Sequence, residues 1–345
     1  MTRYLSSKRT VRIAGVVVVL VALTTWNKSG PVANAAPSVT IALEYTPGSD
    51  NAAVWIAQKL GYFHAAGVNV KVVPWSSQTR SDALAVAGKV DFAIAASEDD
   101  VLFDFAAGRP ITAVMTTAQH DPDEIGVRAS SNIKSPKDLD GKTYGGFGST
   151  KEPILLKALI QAAGGKGNVK IVVLGTASYQ EVYSGKVDAA LFFYYSDAVQ
   201  AQLAGKPIRY FRFRDYGLPD QYGPVVVANN SFLHSNPKVA AAFVHALAKG
   251  YAYEAAHPKA ATQILLKSNP GAMSPKFAAA SIQSFVHGFL VGPGGKIGTM
   301  TLTMWKRRGH FWFQRHQLLD GQGNVLTKDL NYSQFFTNKY LLGNG

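Results

Sequence analysis

Short β-branched runs that alternate with helical stretches, together with a recurring Gly-Lys-Val-Asp unit that leads into an apolar strand, predict an α/β chain organised as two similar lobes around largely parallel, buried sheets. Composition agrees, because 345 residues at 47% hydrophobic and 17% charged are globular and long enough for one large or two medium domains. The first cycle starts near residue 37, with strands over 39–43, 68–73, 92–95 and 111–115 and helices over 52–60, 80–87 and 101–107 between them. A second cycle opens near Glu124. It places strands over 125–128, 143–144, 169–174 and 189–194, and helices over 135–139, 154–163, around Tyr179 and over 199–203. From Asn236 the pattern is mainly helical.

The recurring unit ties the cycles together. Gly88-Lys89-Val90-Asp91 runs into Phe92-Ala93-Ile94-Ala95, and Gly185-Lys186-Val187-Asp188 runs into Ala189-Ala190-Leu191-Phe192. In each, glycine ends a helix, a turn follows, an apolar strand enters a sheet and a polar loop opens the next helix.

At the N-terminus Arg3, Lys8, Arg9 and Arg12 precede an apolar run over 13–23, and Ala33-Asn34-Ala35 supplies a small-x-small site. This reads as a signal peptide over 1–36, cleaved after Ala35 or Ala36, which sends the chain to the periplasm or another extracytoplasmic space. The alternative is an uncleaved anchor, although the run falls short of the ~20 apolar residues a spanning helix needs. Cysteine is absent, which excludes disulfides, thiolate metal sites, a cysteine nucleophile and a lipidated N-terminal cysteine, so the chain is no lipoprotein. Formal charge is +13; the first 36 residues carry five basic residues and no acid, leaving +8 on the rest. Spread over so long a chain, that excess does not indicate nucleic acid.

Ligands of open α/β sheets bind beyond the carboxyl ends of the strands, so the loops there locate the candidate site. Tyr45 follows the first strand, Trp75 the second, Glu98 and Asp99 the third; the second cycle adds Phe147, Glu152, Tyr194, Tyr195 and Asp197. Rings and carboxylates in this mixture suit a flat, amine-bearing or partly cationic small molecule that stacks on its faces and donates N–H groups at its edge. Alternatives stand beside several: Gly145-Gly146-Phe147-Gly148 reads as a phosphate cradle, a ligand loop or a plain turn, and Glu152, Asp197, Asp99 and Asp100 also suit helix starts. Lys306-Arg307-Arg308 reads as a solvated face, and Trp305, Phe311, Trp312 and Phe313 as packing. No HExxH spacing or GxSxG elbow is present, so no metal, cofactor or catalytic residue is expected.

Several segments resemble one family in order. They are Leu43-Glu44-Tyr45-Thr46-Pro47-Gly48-Ser49-Asp50-Asn51, Gly61-Tyr62-Phe63, Gln119-His120, the stretch from Ile133 to Ser149, Glu152, Asp197, Asp215 to Asp220 and Phe336 to Leu341. The chain is similar to solute-binding proteins of ABC importers with the type II periplasmic-binding-protein fold, in the branch that binds thiamine pyrimidine precursors and is related to fungal pyrimidine synthases. Tyr45, Gly48 and Asn51 stand where that branch has Trp, Asn and His. The resemblance implies two lobes, residues 37–118 with 216–345 and residues 119–215, and a ligand cleft between them. It further implies a monomer that captures a small heteroaromatic solute, hands it to an ABC permease and its ATPase, and performs no catalysis; riboflavin, a sulfonate or another small organic solute are alternatives within that class, and an exported enzyme or a ligand sensor outside it. The fungal synthases use a cysteine-rich motif that this chain lacks.

Overall fold

The computed structural model describes residues 36–341, so the signal-peptide reading lies outside the described residues. The strands are β1 (Ser38–Ala42), β2 (Asn69–Val73), β3 (Phe92–Ala95), β4 (Ile111–Thr116), β5 (Asp123–Arg128), β6 (Thr143–Gly146), β7 (Lys170–Val173), β8 (Ala189–Phe193), β9 (Ile208–Arg212) and β10 (Val225–Asn229). They form two sheets, ordered β2-β1-β3-β10-β4 and β7-β6-β8-β5-β9. The first cycle is joined by helices α1 (Ala52–Lys59), α2 (Tyr62–Ala65), α3 (Ser81–Val86) and α4 (Glu98–Ala106), and the second by α5 (Glu152–Ala162), α6 (Ser178–Ser184) and α7 (Val199–Leu203). After β10 come α8 (Asn230–Ser235), α9 (Pro237–Ala256), α10 (Pro258–Ser268), α11 (Pro275–Phe285) and α12 (Leu302–Gln314).

The sheets are mixed, which corrects the expectation of largely parallel ones. In each, the strand that arrives from the other sheet runs antiparallel: β10 lies between β3 and β4, and β5 between β8 and β9. A chain that crosses over directly, without a covering helix, enters its new sheet from the opposite end, and an antiparallel ladder follows. Both sheets therefore repeat one arrangement.

The recurring unit explains part of that repetition. Gly88 and Gly185 adopt positive φ, +66° and +81°, which a side chain resists. Val90 and Val187 are buried behind them. Asp91 then accepts the backbone N–H of Thr40 at 2.7 Å and Asp188 that of Thr143 at 2.9 Å, so each unit fastens the incoming strand to the start of its parallel neighbour.

One face of the first sheet is covered by α1 and α9, whose backbones touch because Gly250 has no side chain: a Cβ there would stand 2.5 Å from the carbonyl oxygen of Ala53. Gly250→Ala is expected to cost about 1–3 kcal/mol by forcing the helices apart. Urea unfolding reads this, and an unchanged midpoint would mean the contact yields freely. On the other face α12 buries Trp305, Arg308 and Trp312, one stripe at helical spacing. Among the described residues no helix is long and apolar enough to cross a membrane.

Candidate functional site

Loops from the carboxyl ends of β1, β2, β3, β6 and β8 converge with one face of α11 on a cleft of about 1210 Å³. Tyr45, Trp75, Phe147, Glu152, Tyr195 and Asp197 all line it. Tyr45 meets Trp75 edge-on, with ring centroids 5.0 Å apart and an interplanar angle of 61°. Tyr45 keeps 40% of its surface exposed, so this pair offers a ring to whatever enters.

The cleft is acidic. Glu44, Asp50, Asp82, Asp100, Asp123, Glu152 and Asp197 line it, against Arg80 and Lys151 as its basic residues. Both cations are already engaged. Arg80 forks onto Asp82 at 2.7 and 3.0 Å, and Lys151 reaches Asp100 at 3.1 Å and the Ser97 hydroxyl at 2.6 Å. Burial alone would raise the Asp100 carboxyl, but the charges of Lys151 and Arg80 outweigh it and hold it below its ordinary value.

Glu44 and Asp50 form a second acidic group on the wall built by the β1 loop. Asn51 donates to Glu44 Oε1 at 3.0 Å, whereas Glu44 Oε2 is buried without a partner. Burial first and neighbouring Asp50 second push the Glu44 carboxyl well up, and its unpartnered oxygen is a polar group that an entering solute could engage. Asp50 is raised by burial and accepts the Tyr195 hydroxyl at 3.1 Å. Tyr195 packs edge-on against Phe285 at 5.1 Å and Phe289 at 5.5 Å, tying the β8 loop to α11 and the turn after it. Tyr195 is thus a cleft wall and a strut together.

Asp197 sits in a π-helical turn, Tyr194–Ala198, after β8. Its Oδ2 accepts the Phe193 N–H at 3.0 Å, and burial raises its carboxyl to about 7. Glu152 differs. Tyr144 OH and the Phe147 N–H donate to its Oε1, and the N–H groups of Gly148 and Ser149 to its Oε2, all between 3.0 and 3.1 Å. A carboxylate has about four acceptor positions, so Glu152 is satisfied by its own chain.

The structure does not bring Glu98, Asp99 or Tyr194 to the cleft. The first turn of α4 points its acids inward: Glu98 accepts the Tyr222 N–H at 2.7 Å, and Asp99 takes the buried Arg308 guanidinium at 2.7 and 2.6 Å. Arg308 therefore belongs to the core and departs from the solvated face expected for Lys306-Arg307-Arg308, of which the first two are exposed. Tyr194 faces a separate hollow of about 330 Å³ beside Glu124, with the Arg212 guanidinium 5.6 Å from its ring centre. Neighbours along a π turn point apart, so Tyr194 and Tyr195 cannot share one site.

Other cleft residues lay beyond the sequence reading. Asp50 and Lys151 each adjoin a residue that was singled out, whereas Phe277 and Ser281 come from α11, far along the chain, with no local signal. His120, in the connection between β4 and β5, pairs with Asp220 at 2.7 Å in the connection between β9 and β10, so the two crossings are fastened to each other. Among the described residues no cluster of His, Asp and Glu is arranged to hold a metal.

The chain is 25% identical over 287 residues to the formylaminopyrimidine-binding protein of Halalkalibacterium halodurans, covering 82% of this chain and 86% of that protein. It is 22% identical over 245 residues to the 4-amino-5-hydroxymethyl-2-methylpyrimidine phosphate synthase of Legionella pneumophila, covering 69% and 76%. In fold it is similar to the periplasmic aliphatic sulphonate binding protein SsuA from Escherichia coli, with a TM-score of 0.66 at 16% identity over 89% of this chain and 99% of that one. A family model described as "NMT1/THI5 like" matches residues 49–261, more than half of the chain and most of the loops that build the cleft, and on that match the chain belongs to the NMT1/THI5-like family.

Proposed function

We propose that this chain is an exported solute-binding protein of an ABC importer that captures an amine-bearing heteroaromatic solute, foremost a thiamine pyrimidine precursor of the formylaminopyrimidine or hydroxymethylpyrimidine type. The observation that carries this reading is the composition of the cleft lining: seven carboxyl groups stand against two cations, both already paired, beside the aromatic pair of Tyr45 and Trp75. In such a lining sulfonates and phosphates find no available counter-charge, whereas carboxyl oxygens can accept N–H donors. The relative from Halalkalibacterium halodurans, named for binding formylaminopyrimidine, supports the same ligand class.

Residues 37–118 with 216–345 form one lobe in this reading and residues 119–215 the other, closing on the solute so that a permease reads the closed form. The protein works as a monomer with a permease and its ATPase, and it binds without turnover. One relative is named a synthase, so a product assay on aminopyrimidines belongs beside the binding test. Native mass spectrometry of protein purified from its host reads the solute directly: a bound aminopyrimidine mass supports the proposal, and a sulfonate or flavin mass overturns the ligand class. Edman sequencing of the exported chain is expected to begin at Ala36 or Pro37, and an intact Met1 in the membrane fraction would favour a retained anchor instead.

A further inference from the structure

The N–H groups of Phe147, Gly148 and Ser149 converge just before α5, and convergent amides ahead of a helix are the arrangement that holds phosphate or sulfonate groups. Here the anion they hold is the chain's own Glu152 carboxylate, at 3.0, 3.0 and 3.1 Å. Gly148 adopts φ +97°, a backbone that points its N–H into the nest and that other residues resist. The adjacent cation, Lys151, is likewise drawn off by Asp100 and Ser97. Every feature with which this wall could grip an external anion is satisfied from within.

We infer that Glu152 is a built-in anion that determines specificity: it fills the amide nest so that anionic solutes find no seat, and it holds the glycine turn in the shape that presents Phe147 to the cleft. Glu152 acts here as a positioning residue and gives no hydrogen bond to the solute. The inference rests on the cleft being the solute site, and it predicts that this chain refuses sulfonates although its fold is shared with a sulphonate-binding protein.

The test is Glu152→Ala, titrated with inorganic sulfate and separately with acetate, the fragment the substitution removes. Two readouts are taken, the amide NMR signals of Phe147, Gly148 and Ser149, and the melting temperature. Wild type is expected to respond to neither anion. The variant is expected to bind sulfate at least about tenfold more tightly than wild type, with the three amides shifting together and acetate restoring much of its lost melting temperature. A wild type that binds sulfate equally well, or a folded variant whose amides respond to no anion, overturns the inference. Should the alanine variant not fold, Glu152→Gln is read in its place. Its amide keeps the volume but turns an N–H against the nest's donors, so sulfate should stabilise it and leave wild type unchanged, and the absence of any anion response would again refute the role. Failure of wild type to bind aminopyrimidines would overturn the proposed function yet leave these anion responses standing, so the two failures are distinguishable.

Discussion

Arg308→Met is expected to destabilise the protein by about 3–5 kcal/mol, the cost of leaving one member of a buried ion pair without its partner. Arg308 and Asp99 are both fully buried, and the guanidinium also donates to the Pro219 carbonyl at 2.8 Å. Methionine fills most of the volume. What it removes is the guanidinium that partners the Asp99 carboxylate inside the core between α4 and α12. Urea unfolding of the single variant, set against Asp99→Asn with Arg308→Met, separates charge from packing: the double variant should recover part of the loss, because a neutral amide is cheaper to bury than an unpaired carboxylate. A single variant within about 1 kcal/mol of wild type would mean that the buried pair does not hold α12 to α4.

Asp197→Asn is expected to weaken aminopyrimidine binding about ten- to hundredfold, matching the 1.5–3 kcal/mol of a hydrogen bond to a charged acceptor. The amide oxygen can still accept the Phe193 N–H, so the turn should survive. Ionisation supplies a second signature. Burial raises the Asp197 carboxyl from 3.8 to about 7, so between those values the folded ligand-free protein holds a proton that the unfolded chain has released. Its contribution to stability is fully present below about pH 4 and is lost as pH rises through about 7. Asparagine has no charge to bury, so the variant should gain melting temperature over wild type at about pH 8, less at about pH 5 and little at about pH 4. Affinity for a solute that stays neutral over this range should run the other way, rising toward pH 7 as Asp197 becomes a carboxylate, and the variant should lose that dependence. Calorimetry at several pH values checks both. Wild-type affinity in the variant with a flat pH profile would remove Asp197 from the site.

How much of this was legible depends on whether the determinant is local. Strand and helix positions in the two cycles follow from apolar periodicity, and the Gly-Lys-Val-Asp unit announced two matching sheets because a left-handed glycine and a strand-fastening aspartate are needed at the same step of each. The strands β9 and β10 were passed over, although Val225-Val226-Val227 is a plain β-branched run, because the expected alternation had no place for a strand without its helix. Arg308 could have been read more closely: it stands three residues after Trp305 and four before Trp312, on their stripe, and a cation there must be paired. Loops after strands do supply Tyr45, Trp75, Phe147, Tyr195 and Asp197 to the cleft. Which way a loop acid turns was not in the sequence. Glu98, Asp99 and Glu152 all sit in the first turn of a helix, yet two turn into the core and one onto its own glycine turn, because Arg308, Tyr222 and the nest amides that receive them are set by tertiary packing.

In the proposed function the cleft takes an amine-bearing pyrimidine and refuses anions. Calorimetric titration of the exported chain with formylaminopyrimidine and hydroxymethylpyrimidine, beside an alkanesulfonate and riboflavin in the same buffer, tests it most directly. One-to-one binding of an aminopyrimidine with no heat from the sulfonate is the predicted result; saturable sulfonate binding, with no response to either pyrimidine, would contradict it.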